Sequence, residues 1–167
     1  AGDLADNDPR FLSDLRKRLR TLPYVRALFV VGADGFISHD TDYATTPRVS
    51  LADREYFIAH RDNPSLGLRI GAPLRSRSVG LWFISLTRRI EHADGSFAGV
   101  AVVAMEPLYF EKFYRRLLVG GGTIALFLQD GTLLARAPAD EGAIGSSPEE
   151  LFGKLRSNDP ENVSWSK

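Results

Sequence analysis

The sequence predicts an α+β fold, a mainly antiparallel sheet of about five strands with helices beside it. Three observations carry this. Between Val79 and Glu106, two long runs rich in β-branched and aromatic residues flank Asp94-Gly95, a pair that accepts the positive φ angles of a tight hairpin turn. A shorter pair of such runs, 24–31 and 36–39, is joined by Gly32-Ala33-Asp34-Gly35. Stretches with helical spacing punctuate the strands, in the order helix, two strands, helix, three strands, helix.

Phe11, Leu12, Leu15, Leu19 and Leu22 recur at helical spacing with Arg16, Lys17, Arg18 and Arg20 between them. This predicts an amphipathic helix from near Pro9 to just before Pro23, packed on the back of the sheet or pairing by its upstream end with a second copy. The first hairpin follows, then a polar stretch, His39 to Pro47, without periodicity. Long ordered connections of this kind tend to line binding sites. Ser50-Leu51-Ala52-Asp53 has the spacing of a helix start, with a capping hydroxyl and an acidic first turn, and the helix is expected to run through Arg61. Residues 68–73 read as a short strand and 75–78 as a polar connection. In the long hairpin, Leu81, Phe83 and Ser85 alternate with Trp82, Ile84 and Leu86, so apolar groups point to both faces and the sheet needs cover on both sides. Arg88 and Arg89 end the run on opposite faces, which sets at least one guanidinium over a largely apolar surface. Glu106-Pro107 opens a third helix, with proline at a position that tolerates it, and Gly120-Gly121-Gly122 breaks it as a hinge.

The tail starts the pattern again. Ala125-Leu126-Phe127 and Asp130-Gly131 repeat Ala27-Leu28-Phe29 and Asp34-Gly35, and Ser147-Pro148-Glu149-Glu150 is a second helix start. A second copy would still lack its third to fifth strands at Lys167, so the natural chain is expected to continue.

Composition narrows the function. The 167 residues carry 44% apolar and 25% charged side chains and no net charge, so no global field draws in nucleic acid or an anionic membrane surface. The absence of cysteine excludes disulfides, thiolate metal sites and cysteine nucleophiles. His39, His60 and His92 lack metal-ligand spacing, and no nucleophile elbow or phosphate loop is present, so neither enzyme nor cofactor is expected. What remains is a pocket. Arg54 and Tyr56 on the middle helix, Trp82 and Arg88 on the central strand and Tyr43 in the long loop could converge on one concave face, where guanidinium groups over aromatic surface favour a small carboxylate. For Arg54 and Arg88, ion pairing with Asp53, Glu55, Glu91 or Glu106 is the competing role.

Several stretches together resemble a known family: Asp53-Arg54-Glu55-Tyr56-Phe57 with His60-Arg61-Asp62, Leu86-Thr87-Arg88-Arg89-Ile90 through Asp94-Gly95-Ser96-Phe97-Ala98-Gly99-Val100, Glu106-Pro107-Leu108-Tyr109-Phe110, and 130–136. Their order and spacing are similar to those of the double Cache extracytoplasmic sensor domains, PAS-like modules at the front of bacterial membrane histidine kinases and diguanylate cyclases. The resemblance implies a long N-terminal helix (1–22), a membrane-distal PAS-like sensing lobe (23–119) and the start of a membrane-proximal lobe (120–167). It also implies a periplasmic location and flanking membrane spans, and a homodimer formed through the N-terminal helix is expected. Amino-acid-binding relatives use an Arg-x-aromatic-aromatic motif, matched by Arg54, Tyr56 and Phe57. Their ammonium-holding aspartate at the end of the last strand is Ala104 here, with Glu106 on the same face as a substitute. On this resemblance a simple carboxylate fits as well as an amino acid.

Overall fold

A computed structural model describes residues 9–118, 120 and 122–151 of the chain. They fall into two compact units, divided between Tyr109 and Phe110. None of the described helices is long and apolar enough to cross a membrane.

The first unit runs α1 (Pro9–Leu19), β1 (Val25–Gly32), β2 (Ile37–Asp40), α2 (Glu55–Asp62), β3 (Arg69–Ile70), β4 (Leu74–Arg75), β5 (Trp82–Glu91) and β6 (Phe97–Met105). The sheet is antiparallel throughout, in the order β2-β1-β6-β5-β3 with β4 also paired to β5, the arrangement of a PAS-like fold. Its long hairpin forms as the alternation requires, and Gly95 turns it at φ 83°. Gly99 lets β6 lie close on β1, since a Cβ there would stand 2.2 Å from the Val31 carbonyl oxygen.

Strand alternation sorts the side chains into two layers. Ala27, Phe29, Val31, Phe83, Val100, Val102 and Ala104 face α2 and form the core with Tyr56, Phe57, Ile37 and Leu51. Val30 and Ile84 are buried on the other face, and α1 packs against β1. The two arginines closing β5 divide as their parity demands. Arg89 stacks over Phe97 at 4.8 Å and donates to the carbonyls of His60 (2.6 Å) and Arg61 (3.2 Å), closing the last turn of α2, while Arg88 is exposed.

Two elements differ from the sequence expectation. Residues 52–54 form a turn and α2 begins only at Glu55, because Ser50 is engaged in a bridge to Phe36 and Leu51 N–H donates to the Gly35 carbonyl. Extended pairing there holds the backbone out of the helical conformation. The strand expected at 68–73 is reduced to β3, and a further short strand, β4, follows just beyond it; both pair to β5.

His60 sits fully buried on α2 with Nε2 3.0 Å from the Thr87 hydroxyl, and its Nδ1 has no partner. Burial, reinforced by Arg69 and Arg89, pushes its pKa below the ordinary value. The unfolded chain therefore takes up the proton first. As pH falls through about 6.5, His60 should cost stability, by at most about 1.4 kcal/mol per pH unit. Asp40, which is buried, and its neighbour Asp42 have raised pKa values and act in the opposite sense above the ordinary carboxylate range. The informative quantity is thus the difference between the wild type and His60→Gln, measured by urea unfolding at pH 7.5 and 5.5. Equal losses in the two proteins would contradict this account.

Beyond α3 (Pro107–Arg115), the second unit contains β7 (Ile124–Phe127) paired antiparallel with β8 (Leu133–Ala137). Its turn copies that of β1–β2 bond for bond. Gly32 N–H donates to the Phe36 carbonyl and Asp34 Oδ1 accepts from Phe36 N–H; Leu128 N–H donates to the Thr132 carbonyl and Asp130 Oδ1 accepts from Thr132 N–H. Gly35 and Gly131, at φ 80° and 84°, are each pressed by the approach to the next helix, by Ala52 just before α2 in one case and by Pro148 at the helix start in the other. Ser147 caps that second helix reciprocally with Glu150. Gly121 of the expected hinge and residues 152–167 of the expected second lobe lie outside the described residues.

Candidate functional site

A cavity opens on the α2 side of the sheet, walled by Phe29, Ile37, Val49, Leu51 and Phe83 and rimmed by polar groups from three directions. From the first hairpin come Arg26, Asp40 and Asp42. Arg26 is the extra residue where the β1–β6 register slips between Val25 and Ala27. Asp40, paired with Phe29 in the ladder, inherits the inward direction of Phe29. Its Oδ1 accepts the N–H of Asp42 at 2.8 Å, and the Asp42 carboxylate pairs with the Arg26 guanidinium. Burial raises both carboxyl pKa values against the pull of Arg26. The corner therefore holds two carboxylates beside one guanidinium.

From the start of α2 come Arg54 and Tyr56. Arg54 occupies the cap position in an extended conformation, and its side chain makes no capping bond. Its Nη2 donates to the Arg75 carbonyl at 2.7 Å, while Nε is buried without a partner. Tyr56 is buried at 3% exposure with its hydroxyl unpartnered, and burial raises its pKa. An unmet buried donor is costly, so two of them lining one cavity mark a place built for an acceptor.

The third direction is the β4–β5 connection, which contributes Ser76, Arg77 and Ser78. Arg77 forks onto Asp53, with Nη1 to Oδ1 at 2.7 Å and Nη2 to Oδ2 at 2.6 Å, and also reaches the Ser50 carbonyl at 2.8 Å. The fork holds the Asp53 carboxyl down at about 2. The space among these groups is about 380 Å³ counted out to the open mouth, yet only about 20 Å³ admits the centre of a water molecule. Space this tight admits little more than water unless an element lining it gives way, and the β4–β5 connection is the exposed one. Asp53→Asn should accordingly speed amide exchange at residues 77–80 with little change in global stability, since the pair is solvent-exposed. Unchanged exchange there would show that the fork does not restrain the loop.

Of the residues expected to converge, Arg54 and Tyr56 line this cavity. The structure places the others elsewhere. Phe57 is a core residue at 2% exposure, edge-on to Phe97, because one step along a helix turns the side chain about 100°. Trp82 and Arg88 project from the opposite face of β5; Trp82 lies under the Arg75 guanidinium at 4.9 Å, and Phe83 takes the inward position. Tyr43 meets Arg16 through its backbone carbonyl and is not among the lining residues. Glu106 touches the site indirectly, 3.9 Å from Arg26 Nε. The carboxylates expected as competing partners of Arg54 and Arg88 lie with other arginines: Asp53 with Arg77, Glu55 with Arg69, Glu91 with Arg89 and Glu106 near Arg26. The sequence reading had missed Arg26, Asp40, Asp42 and Arg77. A charged residue inside an apolar strand could have signalled Arg26, and the aperiodic loop already contained the two aspartates. Nothing in the sequence pattern marks Arg77. No group of three or more potential metal ligands occurs among the described residues.

Neither a family model nor a curated protein matches this sequence. Solved structures do. The extracellular domain of rpHK1S-Z16, a protein assigned as a histidine kinase, superposes with TM-score 0.77 at 33% identity, over 91% of this chain and 63% of its own. The ligand-binding domain of the Pseudomonas fluorescens chemoreceptor CtaA in complex with L-serine gives 0.68 at 16% identity, over 97% and 65%. That of the Pseudomonas aeruginosa PAO1 amino-acid chemoreceptor PctC with GABA gives 0.64 at 16%, over 87% and 64%. The chain thus spans just under two thirds of the length of these structures. The first is an extracellular domain and the other two are ligand-binding domains.

Proposed function

We propose that this chain, which has the fold of the Cache-type extracellular sensor domains, binds a small amino acid in the cavity at Arg54 and Tyr56. The observation that carries the reading is the cavity's two poles. Arg54, Tyr56, Ser76 and Ser78 offer donors for a carboxylate, and Asp40 and Asp42 offer acidic oxygens in excess of Arg26 for an ammonium. These aspartates could supply the ammonium anchor that Ala104 cannot. A zwitterion answers both poles, whereas a simple carboxylate leaves the acidic corner unmatched.

Thermal unfolding tests this with each natural amino acid, propionate and alaninamide. A bound ligand at a hundredfold excess over its Kd should stabilise by about 2.7 kcal/mol. No rise in Tm with any amino acid would refute the reading, and an equal rise with propionate would remove the acidic corner from it. Tyr56→Phe should weaken the binding about fivefold, because the hydroxyl makes no bond inside the protein and is free to meet the ligand. The same variant should unfold at an unchanged denaturant concentration.

The whole protein is read as a membrane receptor whose cytoplasmic output is a histidine kinase, with a diguanylate cyclase as the alternative. Residues 23–119 are its distal sensing lobe and 120–167 the opening of a proximal one, a reading supported by the turn that the two hairpins share. Ligand preference for one of two arrangements would shift their populations and so transmit the signal. The narrowness of the cavity favours a second reading, a pairing module held together through α1. Under it Leu15→Glu should dissociate a dimer in the ultracentrifuge while amino acids leave Tm unmoved.

A further inference from the structure

The sheet of the first unit ends on β3, with β4 beyond it along the same side of β5. We propose that this edge docks an extended acidic segment of a partner protein, which adds to the sheet as a further strand.

The backbone there is open to pairing. Gly71 N–H donates to the Ser85 carbonyl at 2.9 Å, which makes 71 with 85, and by alternation Arg69 with Thr87, the hydrogen-bonded pairs of the ladder. Ile70, opposite Leu86 between them, therefore turns its own N–H and C=O away from β5 and toward the free edge. Its side chain is 48% exposed and that of Leu68 is 65% exposed, while Leu86, on the face away from α2, is only half-buried. Free backbone groups beside exposed apolar side chains form a template for another strand.

Charge decides which strand. Residues 63–88 hold four arginines and no acidic residue, in a chain without net charge. Arg69 and Arg77 are met by Glu55 and Asp53. Arg75 and Arg88 are exposed and have no carboxylate partner among the described residues; Arg75 reaches only the Gly80 carbonyl at 3.2 Å and the Trp82 ring. Both lie on the face away from α2, Arg75 opposite Trp82 and Arg88 further along β5. Positions 82 and 88 of one strand share a face and stand about 20 Å apart. A second copy would set its own arginines against these. A strand with carboxylates six positions apart and apolar residues between them would meet both guanidinium groups and cover Leu68 and Ile70.

The test is a labelled seven-residue peptide, blocked at both ends, with glutamate first and last, valine third and fifth, and threonine elsewhere. Titration against the full chain, read by fluorescence anisotropy and amide spectra, should show saturable binding, a shifted Ile70 amide and slower exchange there. Glutamine in place of both glutamates should weaken binding at least tenfold, and so should Arg88→Glu, a change at an exposed side chain. The proposal is overturned by no saturation up to about 1 mM peptide, by an unmoved Ile70 amide, or by equal binding of the glutamine peptide. A dimer in the ultracentrifuge that Leu68→Asp dissociates would also overturn it, by giving the edge to a second copy.

Discussion

Replacing Arg54 with alanine should abolish the rise in Tm that an amino acid produces, while leaving the melting temperature without ligand almost unchanged. The asymmetry follows from what Arg54 does in the folded chain. Its one hydrogen bond inside the protein is to the Arg75 carbonyl, and it has no carboxylate partner, so truncation strands no buried charge. A ligand carboxylate, by contrast, loses its guanidinium inside a narrow cavity. Removing one partner from such a pair costs about 2 to 5 kcal/mol, or roughly thirtyfold and upward in Kd. Arg54→Lys should recover only part of this, because an ammonium cannot reproduce the planar fork. Full retention of the Tm shift in Arg54→Ala would remove the carboxylate pole from the model of binding. Retention of binding with a lower resting Tm would make Arg54 structural.

Phe57→Ala should instead unfold the domain readily, losing about 3 to 5 kcal/mol. The residue is 2% exposed, in the cluster with Val100 and Val102, and its ring meets Phe97 at 5.5 Å. With domain stabilities of about 5 to 15 kcal/mol, that loss takes a large share of the total and should lower Tm by at least about 10 °C. Phe57→Leu is the informative companion, since it keeps most of the buried volume. It should fold, lose less stability and bind amino acids as the wild type does. If Phe57→Leu folds normally but no longer binds, Phe57 belongs to the site and the division of labour between neighbouring α2 residues is wrong. Tyr56→Phe is expected to show the reverse pattern, stable yet weaker in binding.

The two variants mark where reading from sequence stops. Arg54-Glu55-Tyr56-Phe57 was visible as a motif, and its first and third residues do line the cavity. The motif's fourth residue could not be assigned without knowing which way α2 rests on the sheet. The same holds on β5. Alternation separated Arg88 from Arg89, but it did not say which face α2 covers, and Trp82 and Arg88 lie on the face away from it. Arg77 was invisible as a partner of Asp53, because 24 residues separate them and only the pairing of β4 with β5 brings them together.

Local chemistry by itself determined the strands, the glycine turns, the repeated hairpin of 124–137 and the helical stripes, since each depends on neighbours within a few positions. Tertiary structure alone decided which arginine meets which carboxylate, which donors are left unmet and which cavity they line. Those outcomes depend on burial, and burial is a property of the assembled sheet and its covering helices rather than of any segment.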